Sequence, residues 1–192
     1  MSEHTHVVAL CGSQAENSVT RVAVEEALEA AAAAGASTEL LDLRQWDLPT
    51  FDADDRDAGD APAFRQRVRE ADAVLLGTPM YHGSYASPLK TALDYCGFDE
   101  FEDTTVGLLA VAGGSFPLPA LAHLREVCRA LEAWTLPTQV AVPDSHAAVE
   151  DGRLADEGIA ERTATLGREL AAYANVSAYP DCPSAPAPAV GD

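Results

Sequence analysis

Residues 73–94 read AVLLGTPMYHGSYASPLKTALD, and this stretch decides the fold. Ala73–Thr78 is apolar at every position but the last, the pattern of a central parallel strand with both faces buried. Pro79 stiffens the exit, Tyr81 offers an aromatic edge, and Gly83 permits close approach of backbone to a ligand. Ser87 and Pro88 then read as the N-cap and first residue of a helix, Pro88–Tyr95. The unit is strand, loop, helix.

The same unit recurs on both sides. Thr5–Cys11 (THVVALC), Thr38–Leu43, Val106–Ala112 (VGLLAVA) and Thr138–Val142 read as further strands. Helices are predicted over Val19–Ala34, Ala63–Glu70, Leu121–Trp134 and Glu157–Ala174, with Gly35 ending the first and Asp60 capping the second. Alternation of this kind with short connections gives an α/β fold: one five-stranded parallel sheet with helices on both faces. Right-handed crossovers favour the doubly wound strand order 2-1-3-4-5, which binds ligands beyond the C-terminal strand ends. Function is therefore expected just after Cys11, Thr78 and Ala112.

The length of 192 residues suits one domain, read as 1–176, followed by a Pro/Ala-rich flexible tail, 177–192. The polar start and the lack of an apolar run of bilayer length predict a soluble cytoplasmic chain without membrane partners. Cys11, Cys96, Cys128 and Cys182 form no CxxC pair, which argues against a zinc or dithiol site and fits reduced thiols. Thirty-one acidic residues face twelve basic ones, a formal charge of −19 with Lys90 the single lysine. So anionic a surface repels nucleic acid and suits high salt. Asp52–Asp60 superficially resembles a calcium loop but fails the EF-hand spacing, and no metal site is predicted. Arg44–Asp60 is long for a connection, as functional or interfacial segments often are.

Three loops carry the chemistry. The first, Gly12–Thr20 (GSQAENSVT), places the hydroxyls of Ser13, Ser18 and Thr20 at a helix N-terminus, where free N–H groups favour an anion; plain capping by Ser18 explains it equally. It matches neither the dinucleotide fingerprint nor the P-loop. The second is the Thr78–Ser87 loop, whose apolar walls suit a flat amphipathic ring, although Tyr81 and Tyr85 could simply cap the core. His82 is assigned no acid–base role, because nothing in sequence gives it a partner. The third, Ala112–Pro117, has paired glycines at a strand end.

Together these loops resemble the NADPH-dependent FMN reductase family, a flavodoxin-like group that includes quinone, azo-dye and chromate reductases. Loop one is similar to its G-S-x-R-x-x-S-x-N/T signature. Loop two and its helix resemble P-x-Y-x-G-S-x-x-x-x-L-K-x-x-[IL]-D at Pro79, Tyr81, Gly83, Ser84, Leu89, Lys90, Leu93 and Asp94. The resemblance spans about residues 5–175 and implies a flavodoxin-like three-layer α/β/α sandwich. It implies FMN as cofactor, with its phosphate on Ser13, Ser18, Val19 and Thr20. Pro79, Met80, Tyr81, His82 and Gly83 would border the isoalloxazine, with Gly113, Gly114 and Ser115 on its far side. It further implies NADPH or NADH as electron donor, a small-molecule acceptor, a ping-pong reaction without a catalytic side chain, and a homodimer or dimer of dimers. The family's loop-one arginine falls on Ala15 here, followed by Glu16. A flavodoxin-type electron carrier and a flavin-free interaction module are the alternatives.

Overall fold

Strands and helices alternate through the computed structural model, which describes residues 5–174. In chain order they are β1 (His6–Cys11), α1 (Val19–Ala33), β2 (Ser37–Asp42), α2 (Ala61–Arg69), β3 (Ala73–Tyr81), β4 (Ser84–Tyr85), α3 (Ser87–Tyr95) and α4 (Phe98–Phe101). There follow β5 (Thr105–Val111), α5 (Leu118–Ala130), β6 (Trp134–Val142), β7 (Val149–Glu150), β8 (Arg153–Leu154) and α6 (Glu157–Tyr173). Five strands pair in parallel in the order β2-β1-β3-β5-β6, the doubly wound order expected from sequence. The predicted tail, 177–192, and Cys182 lie outside the described residues.

Strand alternation explains the layers. Val8, Leu10, Val74, Leu76, Val106 and Leu108 join Phe64, Leu89, Phe101, Leu121 and Leu124 of α2, α3, α4 and α5 in one core. Val7, Ala9, Leu75, Leu109 and Val111 point the other way, against Ala23, Val24 and Ala27 of α1 and Leu166 and Leu170 of α6. Each large apolar side chain so buried contributes roughly 1.5–3 kcal/mol. Helices α1 and α6 cross tightly at Gly167, where a Cβ would stand 2.0 Å from the Ala27 carbonyl oxygen.

Several boundaries differ from the sequence reading, each for a local reason. β3 runs on to Tyr81 and folds back on β4, so loop two is a hairpin. The N-cap of α3 is Ala86 instead of Ser87, and Ser87 and Pro88 both lie within the first turn. The Ala86 N–H donates to the Thr78 hydroxyl at 2.9 Å, which holds residue 86 extended and starts the helix one residue early. Helix α5 starts at Leu118 and stops at Ala130, because the chain reverses at Glu132 (φ +58°). Trp134 therefore opens β6 beside Thr105 instead of closing a helix. Asp60 is the N-cap of α2, which begins at Ala61, but its carboxylate accepts the Asp47 N–H at 2.8 Å and bonds no helix N–H.

The long connection after β2 is packed against the body. Trp46 meets Phe64 edge to face, with centroids 5.4 Å apart, and Phe51 meets Tyr95 at 5.2 Å. On the outer face of α3, Lys90 is ion-paired with Asp94 one turn on, a link worth a few tenths of a kcal/mol.

Candidate functional site

The parallel register sets the ends of β1, β3 and β5 side by side: Cys11 opposite Gly77, Gly77 opposite Leu109, and Pro79 opposite Val111. The three loops named from sequence therefore emerge along one edge, at the switch point between β1 and β3.

Loop one turns sharply after β1, with the Gly12 N–H bonded to the Gly77 carbonyl at 2.8 Å. Ser13, Ser18 and Thr20 are all buried, while Gln14 to Asn17 form an exposed rim. The Ser13 hydroxyl accepts the Ala15 N–H at 3.4 Å. Ser18 caps α1 by accepting the Arg21 N–H at 3.1 Å. Thr20 lies in the first turn of α1, with its methyl toward Gly77, and Val19 packs half-buried against the α1/α6 core. No acidic residue lies in the first turn of α1, so the positive end of its dipole is left for an outside anion.

Loop two is stiffer than its composition suggests. Met80 pairs with Tyr85 and Tyr81 with Ser84 across a two-residue turn at His82 and Gly83, with φ of +52° and +80°. Both central residues at positive φ make this the type I′ turn that suits the twist of a hairpin. Space is open beside the Gly83 Cα. Met80 leans on the core, Tyr81 is 60% exposed, and His82 points to solvent. The Ser84 hydroxyl and His123 Nδ1, 3.1 Å apart, tie the hairpin to α5.

Loop three leaves Gly113, Gly114, Ser115 and Phe116 exposed at the end of β5. Its neighbour was missed in the sequence. The Ser145 N–H donates to the Ala112 carbonyl at 2.9 Å and the Asp144 N–H to the Gly114 carbonyl at 2.8 Å. His146 and Ser145 consequently flank Gly113, with Nε2 and Oγ 3.7 and 3.8 Å from where a Cβ would be. The signal was available: β6 is parallel to β5 and ends at Val142 opposite Val111, so the residues after it had to meet loop three.

Charge is concentrated behind loop one. Asp42 ends β2 beside Cys11, is buried, and holds the Arg44 guanidinium through both carboxylate oxygens. The Arg44 hydrogen bonds keep its carboxyl below the usual range despite the opposing effect of burial. Burial raises the Cys11 thiol above its ordinary value and Cys128 to about 11, so neither is a thiolate near neutral pH. Among the described residues, no three His, Cys, Asp or Glu side chains gather as a metal site. The loop cluster has hydroxyl and amide donors, an aromatic edge and glycine-lined open space, and its Ser84–His123 contact serves to tie the hairpin to α5.

The family model described as NADPH-dependent FMN reductase matches residues 5–147. An FMN-dependent NADPH-azoreductase of Staphylococcus haemolyticus is 37% identical over 119 residues, 60% of this chain and 63% of that protein. The enzyme of the same description from Staphylococcus aureus strain USA300 is 38% identical, with the same shares. The chain thus matches under two thirds of the length of these relatives. Among solved structures, the flavoenzyme NAD(P)H:(acceptor) oxidoreductase FerB of Paracoccus denitrificans aligns with a TM-score of 0.73 at 21% identity, covering 88% of this chain and 96% of that one. The apo form of an NADH:FMN oxidoreductase aligns at 0.72 and 20% identity, over 90% and 91%. These structural likenesses speak for the fold.

Proposed function

Because the chain belongs to the NADPH-dependent FMN reductase family, we propose that it is an FMN-dependent NAD(P)H oxidoreductase reducing a small, flat acceptor. One observation carries the reading: a buried-hydroxyl loop at a helix N-terminus stands next to a rigid aromatic hairpin along one sheet edge. The residues suit FMN. Ser13, Ser18 and the free N–H groups of loop one and α1 offer neutral donors to a phosphate, with Val19 and Thr20 in the adjoining turn. Pro79, Met80, Tyr81, His82 and Gly83 give one border for a ring, and Gly113, Gly114 and Ser115 the other. Bound there, FMN supplies two-electron chemistry that the side chains of the cleft lack. The protein's part is to orient the ring, to offer backbone donors at its polar edge and to leave one face open.

The test is anaerobic. Purified protein is loaded with FMN and mixed with NADPH or NADH, and flavin absorbance is followed. Bleaching by either nucleotide supports the reductase. A flavin that stays oxidised, yet is reduced by a partner reductase, makes the chain an electron carrier instead.

The acceptor class, quinones and azo compounds among them, is proposed from the family and the azoreductase relatives. A cytoplasmic setting is proposed because Cys11, Cys96 and Cys128 are unpaired thiols. A homodimer is also proposed: Tyr81, Phe116 and Leu118, each more than half exposed, belong to the hairpin and to loop three with the start of α5, and such surface suits a partner subunit. Sedimentation at monomer mass in molar KCl would count against it. The −19 charge supports an adaptation to high salt, so circular dichroism should collapse on desalting as screening is lost.

A further inference from the structure

Loop one has no basic residue of its own between Gly12 and Thr20, yet two guanidinium groups reach it from elsewhere. Arg21 Nη2 donates to the Ala15 carbonyl at 2.8 Å, and its Nη1 to the Glu16 carbonyl at 3.1 Å. Arg44, arriving from the end of β2, places Nη1 3.4 Å from the same Ala15 oxygen. Both converge on Asp42, with Arg44 Nε 2.9 and 3.0 Å from its two oxygens and Arg21 Nε 3.4 Å from Oδ2. Arg21 Nε is buried and makes no hydrogen bond.

We infer that Arg21 and Arg44, braced by the buried Asp42 carboxylate, are the positioning residues that shape loop one to receive the phosphate of a flavin mononucleotide. This rests on the flavin reading above and deepens it. Guanidinium groups that hold the Ala15 and Glu16 carbonyls fix the course of the loop, and successive N–H groups in a fixed turn are what an anion-binding nest requires. The two guanidinium groups also offset the two carboxylates nearest the loop, the buried Asp42 and the exposed Glu16, in a chain that is otherwise strongly anionic. Arginine suits both duties, since its planar fork can serve a carboxylate and a carbonyl at once and stays charged.

The measurement compares FMN with riboflavin, which lacks the phosphate. Apo-protein in constant high KCl is titrated with each flavin, and binding is followed by fluorescence quenching. The wild type should prefer FMN. Arg44→Ala and Arg21→Ala should each weaken FMN about tenfold or more and leave riboflavin within about twofold, the scale of a lost charge-assisted contact. Arg44→Lys, unable to span carboxylate and carbonyl together, should restore only part of the preference. Arg44→Ala decides the matter should Arg21→Ala melt out, because its side chain is 27% exposed and Asp42 keeps the Arg21 guanidinium as a partner. Equal losses for both flavins, or no loss for either, overturns the inference. So does a wild type with equal affinity for the two, which leaves the flavin reading standing. A wild type that binds neither flavin overturns that reading as well.

Discussion

The hydroxyl of Thr78 accepts the backbone N–H of Ala86 at 2.9 Å and donates to the Pro79 carbonyl at the same distance, closing the base of the Tyr81 hairpin. Thr78 is fully buried. Thr78→Val keeps the shape and strands the Ala86 N–H away from water, at a cost of about 1–3 kcal/mol. Urea unfolding should show that loss, and FMN affinity should fall with it as the hairpin loosens. Unchanged stability would mean that the hairpin is held from elsewhere.

His82 occupies the first central position of the turn at φ +52°. Asparagine tolerates that conformation best among non-glycine residues, and a β-branched side chain worst. His82→Asn should raise the melting temperature or leave it unchanged, whereas His82→Val should cost about 1–2 kcal/mol. The order of the three melting temperatures, Asn at or above His and Val lowest, is the readout.

Gly167 lets α6 touch the backbone of α1 at Ala27. Gly167→Ala must push the two helices apart, and overpacking of that kind costs roughly 1–3 kcal/mol or more. The mutation improves helix propensity, so a gain in stability would show that the α1/α6 crossing has room for a methyl group.

Asp42 titrates below the usual carboxylate range because Arg44 hydrogen-bonds its charged form. A lowered folded-state value stabilises the protein fully above the unfolded value of about 3.9, and that stability is lost as pH falls through the folded one. Asp42→Asn should therefore cost about 1.5–3 kcal/mol at pH 7. The gap from wild type should hold down to about pH 5 and narrow below about pH 4. Urea denaturation at fixed high salt across that range measures it, and a gap constant to pH 3 would contradict the assignment.

Much of the fold was legible because it repeats a strong local signal. The all-apolar run Ala73–Thr78 and the Ser18 cap act within a few residues, and handedness then leaves little choice of strand order. What escaped was short or non-local. Ser84–Tyr85 is too brief to show a period, and His82-Gly83 lacks the asparagine that advertises a type I′ turn. Trp134 looked like the end of an amphipathic helix until Glu132 reversed the chain. In the site, loop positions were legible from strand ends, whereas Ser145 and His146 depend on β6 lying beside β5. The brace from Arg44 to Ala15 joins positions that no local pattern connects.

Lys90 carries the chain's single side-chain amine, set on the outer face of α3 and 48% exposed even while paired with Asp94. An amine-directed dye or crosslinker thus has one side-chain address, and conjugates there would be uniform. The brightness or mobility of such a label would report, without mutagenesis, whether α3 faces water or another molecule.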